Sequence, residues 1–91
     1  MKIKLNDTQL NTAIQLTKGS NYSDLFIKGK ANQVFDINDN NRKKLVDYFG
    51  TSEAFLVMEI DDTKDYDKIN ELERQLTICS QLTDIFAGLI K

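Results

Sequence analysis

Polar and apolar residues alternate across Lys2, Ile3, Lys4, Leu5 and Asn6, the period-two pattern of a strand with one buried face. Asp7 or Thr8 can then cap a helix that carries Leu10, Ala13 and Ile14 at three- and four-residue spacing, with Gly19 as its C′ residue. Residues 13–17 also fit a strand, because Ile14 and Leu16 alternate. Residues 25–28 form a short apolar run, and Gly29, Lys30, Ala31 and Asn32 supply turn chemistry before Val34, Phe35, Asp36 and Ile37. That pattern predicts a hairpin. Asn38 or Asp39 offers the cap of a second helix with Leu45, Val46 and Phe49 on one face, and Gly50 is placed to close it.

Residues 54–60 are the most apolar stretch of the chain and predict a strand buried on both faces. From about Asp67 to residue 90 the pattern turns helical. Ile69, Leu72, Leu76, Cys79, Thr83, Phe86 and Ile90 make one seam along that helix, and Ile78, Leu82, Ile85 and Leu89 make a second, rotated about 110° at ~100° per residue. Gly88 is placed to end the helix early and turn Leu89 and Ile90 back.

The order strand, helix, strand, strand, helix, strand is the split β-α-β-β-α-β arrangement of ferredoxin-like α+β folds. The expectation is therefore a single small α+β domain over 1–91, with the sheet and two short helices in 1–62 and a long C-terminal helix over 65–90. A chain of 91 residues supports one modest core, so a large apolar surface outside that core points to association.

The charge is divided along the chain. Residues 1–50 hold eight Lys/Arg against five Asp/Glu, a net +3, and residues 51–91 hold four against nine, a net −5. The acidic second half argues against nucleic-acid binding through the long helix, since phosphate contacts need Lys and Arg. Arg42, Lys43 and Lys44, with Lys28 and Lys30, are the candidate phosphate contacts of the basic half.

The chain has no histidine and a single cysteine, Cys79, on the apolar stripe of the long helix. Histidine-based triads and ordinary zinc sites are thereby excluded, and an intrachain disulfide with them. Residues 36–40 place oxygen ligands at alternate positions like the start of a calcium-binding loop, with Asp47 at the twelfth position. Asn41 stands where that loop needs glycine, and Arg42, Lys43 and Lys44 bring positive charge into it. Helix capping explains the segment without a metal.

The acidic run Glu59, Asp61, Asp62, Asp65 and Asp67 suits a helix N-terminus on electrostatic grounds; a cation site there is the alternative. Gly29-Lys30 lacks the other glycine and the hydroxyl residue of a phosphate-binding loop. The segment 34–37 has neither the glycine nor the paired aromatics of an RNA-recognition strand. No motif points to a cofactor.

The expected function is a non-enzymatic interaction or oligomerisation module acting through Ile78, Leu82, Ile85 and Leu89, as a homodimer or with another protein. The alternatives are a nucleic-acid accessory protein using the basic half, or an inhibitor presenting the acidic 59–67 run to a basic site. Leu76 to Ile90, broken by Gln81 and Asp84, is too short for the ~20 apolar residues of a membrane span, and no apolar stretch of a signal peptide follows Lys4, so the expected location is cytoplasmic. The usage of Asn, Asp, Lys and Ile without Pro, Trp or His resembles that of small proteins from AT-rich bacterial genomes, their phages and mobile elements.

Overall fold

The computed structural model describes residues 2–88, in the order β1 Lys2–Lys4, α1 Asp7–Leu16, α2 Ser23–Ile27, β2 Val34–Asp36, α3 Asp39–Asp62 and α4 Tyr66–Ala87. The fold is mostly helical, which overturns the ferredoxin-like expectation: the only sheet among the described residues has two strands, β1 against β2. They pair antiparallel, with Lys2 opposite Asp36, Ile3 opposite Phe35 and Lys4 opposite Val34.

Three predicted elements change, each for a physical reason. The segment 25–28 forms α2 instead of a strand; Phe26 enters the core while Ile27 stays exposed, so the run buries one side chain and not a sheet face. The hairpin with 34–37 is lost accordingly, and β2 pairs instead with the distant β1. Gly50 does not close a helix. It lies inside α3 without a positive φ, whereas Gly19 and Gly88 are the two glycines in the left-handed region.

The run 54–60, expected as a central strand, is therefore the second half of α3. Its inward residues are Leu45, Phe49 and Leu56, at helical spacing, while Phe55, Val57 and Met58 face outward. Consecutive apolar residues look the same in a buried strand and in a helix that is apolar on more than one side. Tertiary packing of Leu45, Phe49 and Leu56 outweighs the roughly 1 kcal/mol that a mid-helix glycine costs.

Local capping fits the sequence closely. Asn6 and Gln9 form a reciprocal capping box at the start of α1, one residue before the expected cap, with Asn6 Oδ1 accepting from Gln9 N at 2.8 Å and Gln9 Oε1 accepting from Asn6 N at 3.1 Å. Residues 13–16 are helical, which decides that segment. Asn38 Oδ1 accepts from Asn41 N at 2.8 Å to start α3. Asp65 Oδ1 accepts from Asp67 N at 3.0 Å to start α4, and Gly88, at φ 80°, ends it. The expected positions of Leu89 and Ile90 lie outside the described residues.

The three-residue connection 63–65 folds α3 and α4 into an antiparallel hairpin, at ~1.5 Å per residue about 36 and 33 Å long, against a longest molecular dimension of 39 Å. The rings of Phe49 and Phe86 stack at 5.8 Å with 12° between planes, and Phe26 meets each edge-on, at 6.0 and 6.1 Å. Leu5, Leu10, Ala13 and Ile37 belong to the same core.

Candidate functional site

The two seams read on the last helix both exist, and they meet different neighbours. On the first, Leu72, Cys79 and Phe86 are buried against α3: the Cys79 thiol donates to the Phe49 carbonyl at 3.2 Å and the Thr83 hydroxyl donates to Glu53 Oε1 at 2.8 Å. On the second, Ile78 is 7% exposed and Leu82 fully buried, with Ile85 partly buried against the same core. Helix α1 packs on α4, and Gln9 Nε2 donates to Gln81 Oε1 at 3.3 Å. The chain's own elements therefore cover Ile78, Leu82 and most of Ile85. Leu89 lies outside the described residues.

The basic residues are separated by what they do. Arg42 donates from Nη1 to the Phe86 carbonyl at 2.9 Å and lies 3.5 Å from Asp39, so it joins the two helices of the hairpin. Lys43 and Lys44 on α3, with Lys28 and Lys30 after α2, are exposed. The acidic residues Glu59, Asp61 and Asp62 are exposed at the end of α3, Asp65 caps α4, and Asp67 sits in its first turn. Among the described residues no group of three His, Cys, Asp or Glu is placed to hold a metal. Glu71 and Arg74 form an exposed pair at 2.6 Å, whose hydrogen bond lowers the Glu71 carboxyl from its ordinary value and raises Arg74.

Cys79 is held as a thiol. Burial, and secondarily the Glu53 carboxylate, push it up to about 12, far from the range of a reactive thiolate.

Among the described residues the large apolar side chains left in solvent are Ile27, Val34, Phe55, Val57, Met58 and Tyr66, and three of them lie within four residues on α3. Phe55 is 61% exposed and Met58 60%. Being three apart on a helix, they share a face. Beside Phe55 an open depression of about 340 Å³ is lined by Asp47, Tyr48, Thr51 and Ser52. Tyr48, in its lining, is fixed by an O–H bond to the Leu16 carbonyl at 2.7 Å and by edge contacts with Tyr22 and Phe49.

Sequence reasoning missed this face because Gly50 divided the helix in two. The signal was present in Tyr48, Phe55 and Met58, which fall on one face of a helix that continues through Gly50.

No family model, curated protein or solved structure matches this chain. The outer face of α3 must be read from its own chemistry. Among the described residues no helix is long and apolar enough to cross a membrane.

Proposed function

We propose that the chain is a non-enzymatic protein-interaction module that docks through the outer face of α3. The observation that carries this reading is the exposure of Phe55 and Met58 side by side on one helical face, next to the depression lined by Tyr48 and Thr51. Complete burial of a side chain of that size contributes ~1.5–3 kcal/mol, so a partner that covers both gains appreciably before association costs. The polar residues at the ends of the same stripe, Lys44 and Asp62, supply orientation. Ile78, Leu82 and Ile85 serve the module from inside, as part of the core in which α1 and α3 pack on α4.

The test is a photo-crosslinking amino acid placed at Phe55 in one variant and at Lys68, an exposed position of α4, in another, each expressed in the cells from which the gene comes. Discrete adducts at position 55 that disappear when Met58→Glu is added, with none at position 68, support the reading. No adduct at 55, or the same adducts at both positions, removes it.

A further inference from the structure

We infer that the face of α3 pairs with the same face of a second copy of this chain, antiparallel, about a two-fold axis level with Glu53. The inference rests on the reading of this face as a docking surface and names its occupant. At ~100° per residue, Lys44, Tyr48, Thr51, Phe55, Met58 and Asp62 fall within an arc of about 80°, turned about 120° from the inward stripe of Leu45, Phe49 and Leu56. The stripe runs about 27 Å along the helix.

The stripe is self-complementary when reversed. In an antiparallel pair centred at residue 53, Lys44 lies opposite Asp62 of the second copy, Tyr48 opposite Met58, and Thr51 opposite Phe55. Each contact occurs twice, as an isologous interface requires. The ammonium meets a carboxylate at both ends, the thioether meets a tyrosine ring, and the bulky Phe55 meets the small Thr51. The depression beside Tyr48 and Thr51 receives the apolar side chains of the opposite copy.

A parallel pair has none of this, for it sets Lys44 against Lys44 and Asp62 against Asp62. Charge thus selects the antiparallel register. One like-charged contact remains, Asp47 near Asp61 of the second copy, with Lys43 on the same flank, and it keeps the association weak and reversible.

Sedimentation equilibrium of the full chain from about 10 µM to about 1 mM reads the pairing directly, at concentrations suited to a small interface. The wild type is expected to show a reversible monomer–dimer equilibrium and Phe55→Glu to be monomeric with an unchanged circular dichroism spectrum; Met58→Glu serves if Phe55→Glu unfolds. Lys44→Glu and Asp62→Lys are each expected to weaken the dimer about five- to ten-fold, and the two together to restore it. A wild type that stays monomeric throughout, or a double variant no tighter than the single ones, overturns the pairing. If the wild type is monomeric while position 55 gives crosslinked adducts of another mass, self-pairing falls and the interaction reading stands; if position 55 gives no adduct either, both fall.

Discussion

The guanidinium of Arg42, in the first turns of α3, donates to the backbone carbonyl of Phe86, in the last turn of α4, at 2.9 Å. The final carbonyls of a helix have no partner within it, and a cation there also opposes the negative end of the helix dipole. Arg42 thus closes the open end of the hairpin, where the stacked rings of Phe49 and Phe86 lie.

Removing that group without losing its aliphatic stem measures the closure. Arg42→Met is expected to cost about 1–2 kcal/mol, since the bond is charge-assisted and partly buried. Lys43→Met, at an exposed neighbour, should stay within about 0.5 kcal/mol of wild type. Urea denaturation followed by circular dichroism compares the two. Equal effects would show that the contact with Phe86 adds nothing.

Gly50 provides a test of the continuous helix. It is exposed, its φ is not positive, and a Cβ built there meets nothing within 4 Å. Gly50→Ala should therefore stabilise the protein by about 0.5–1 kcal/mol, raising the melting temperature by several degrees. Were Gly50 a left-handed cap between two elements, the same substitution would destabilise. Thermal denaturation decides the sign.

Leu82 and Phe55 should respond in opposite ways to truncation. Leu82 is fully buried, so Leu82→Ala is expected to cost about 2–5 kcal/mol. Phe55 is mostly exposed, so Phe55→Ser should leave the stability of the monomer within about 0.5 kcal/mol of wild type. Chemical denaturation at low protein concentration isolates the monomer and avoids any contribution from association.

Cys79 makes stability depend on pH at the alkaline end. The thiol's ordinary value is 9.0 and burial, aided by Glu53, pushes it up to about 12 in the folded chain. Between those values the folded state binds more protons than the unfolded one, so stability falls as pH rises. The contribution of the thiol is fully present below about pH 9. Denaturation between pH 8 and 10.5 should show a steeper fall for the wild type than for Cys79→Ala, and the native thiol should react with a thiol reagent only as fast as the chain opens. Parallel slopes would remove this role for Cys79.

The ends of elements were legible in the sequence because their causes are local. Asn38 as a cap and Gly88 as the end of α4 follow from what a side chain, or its lack, does to its own backbone; Gly19 is left-handed but lies one position beyond C′, since Thr17 caps α1. The two seams of the last helix were legible as well, since periodicity records which side of a helix is apolar. What covers each seam was not, because the cover comes from segments far away in the chain: α1 packs on α4, with Gln9 bonded to Gln81 across a separation of 72 residues.

The error at Gly50 spread furthest. Reading it as a terminus turned the exposed residues Phe55, Val57 and Met58 into a buried strand and hid the stripe that joins Lys44 to Asp62. Glycine marks an end only when its φ is positive or the pattern stops there, and the pattern of Leu45, Phe49 and Leu56 continues through it.

In the folded monomer the apolar side chains of Phe55 and Met58 lie in solvent, while Ile78 and Leu82 are covered by the chain itself. Relaxation of side-chain protons by a soluble paramagnetic agent, measured by NMR on dilute protein, reads this residue by residue. Strong relaxation at Phe55 and Met58 with weak relaxation at Leu56, Ile78 and Leu82 is the predicted result. Protection of Phe55 and Met58 together with strong relaxation at Ile78 and Leu82 would contradict it.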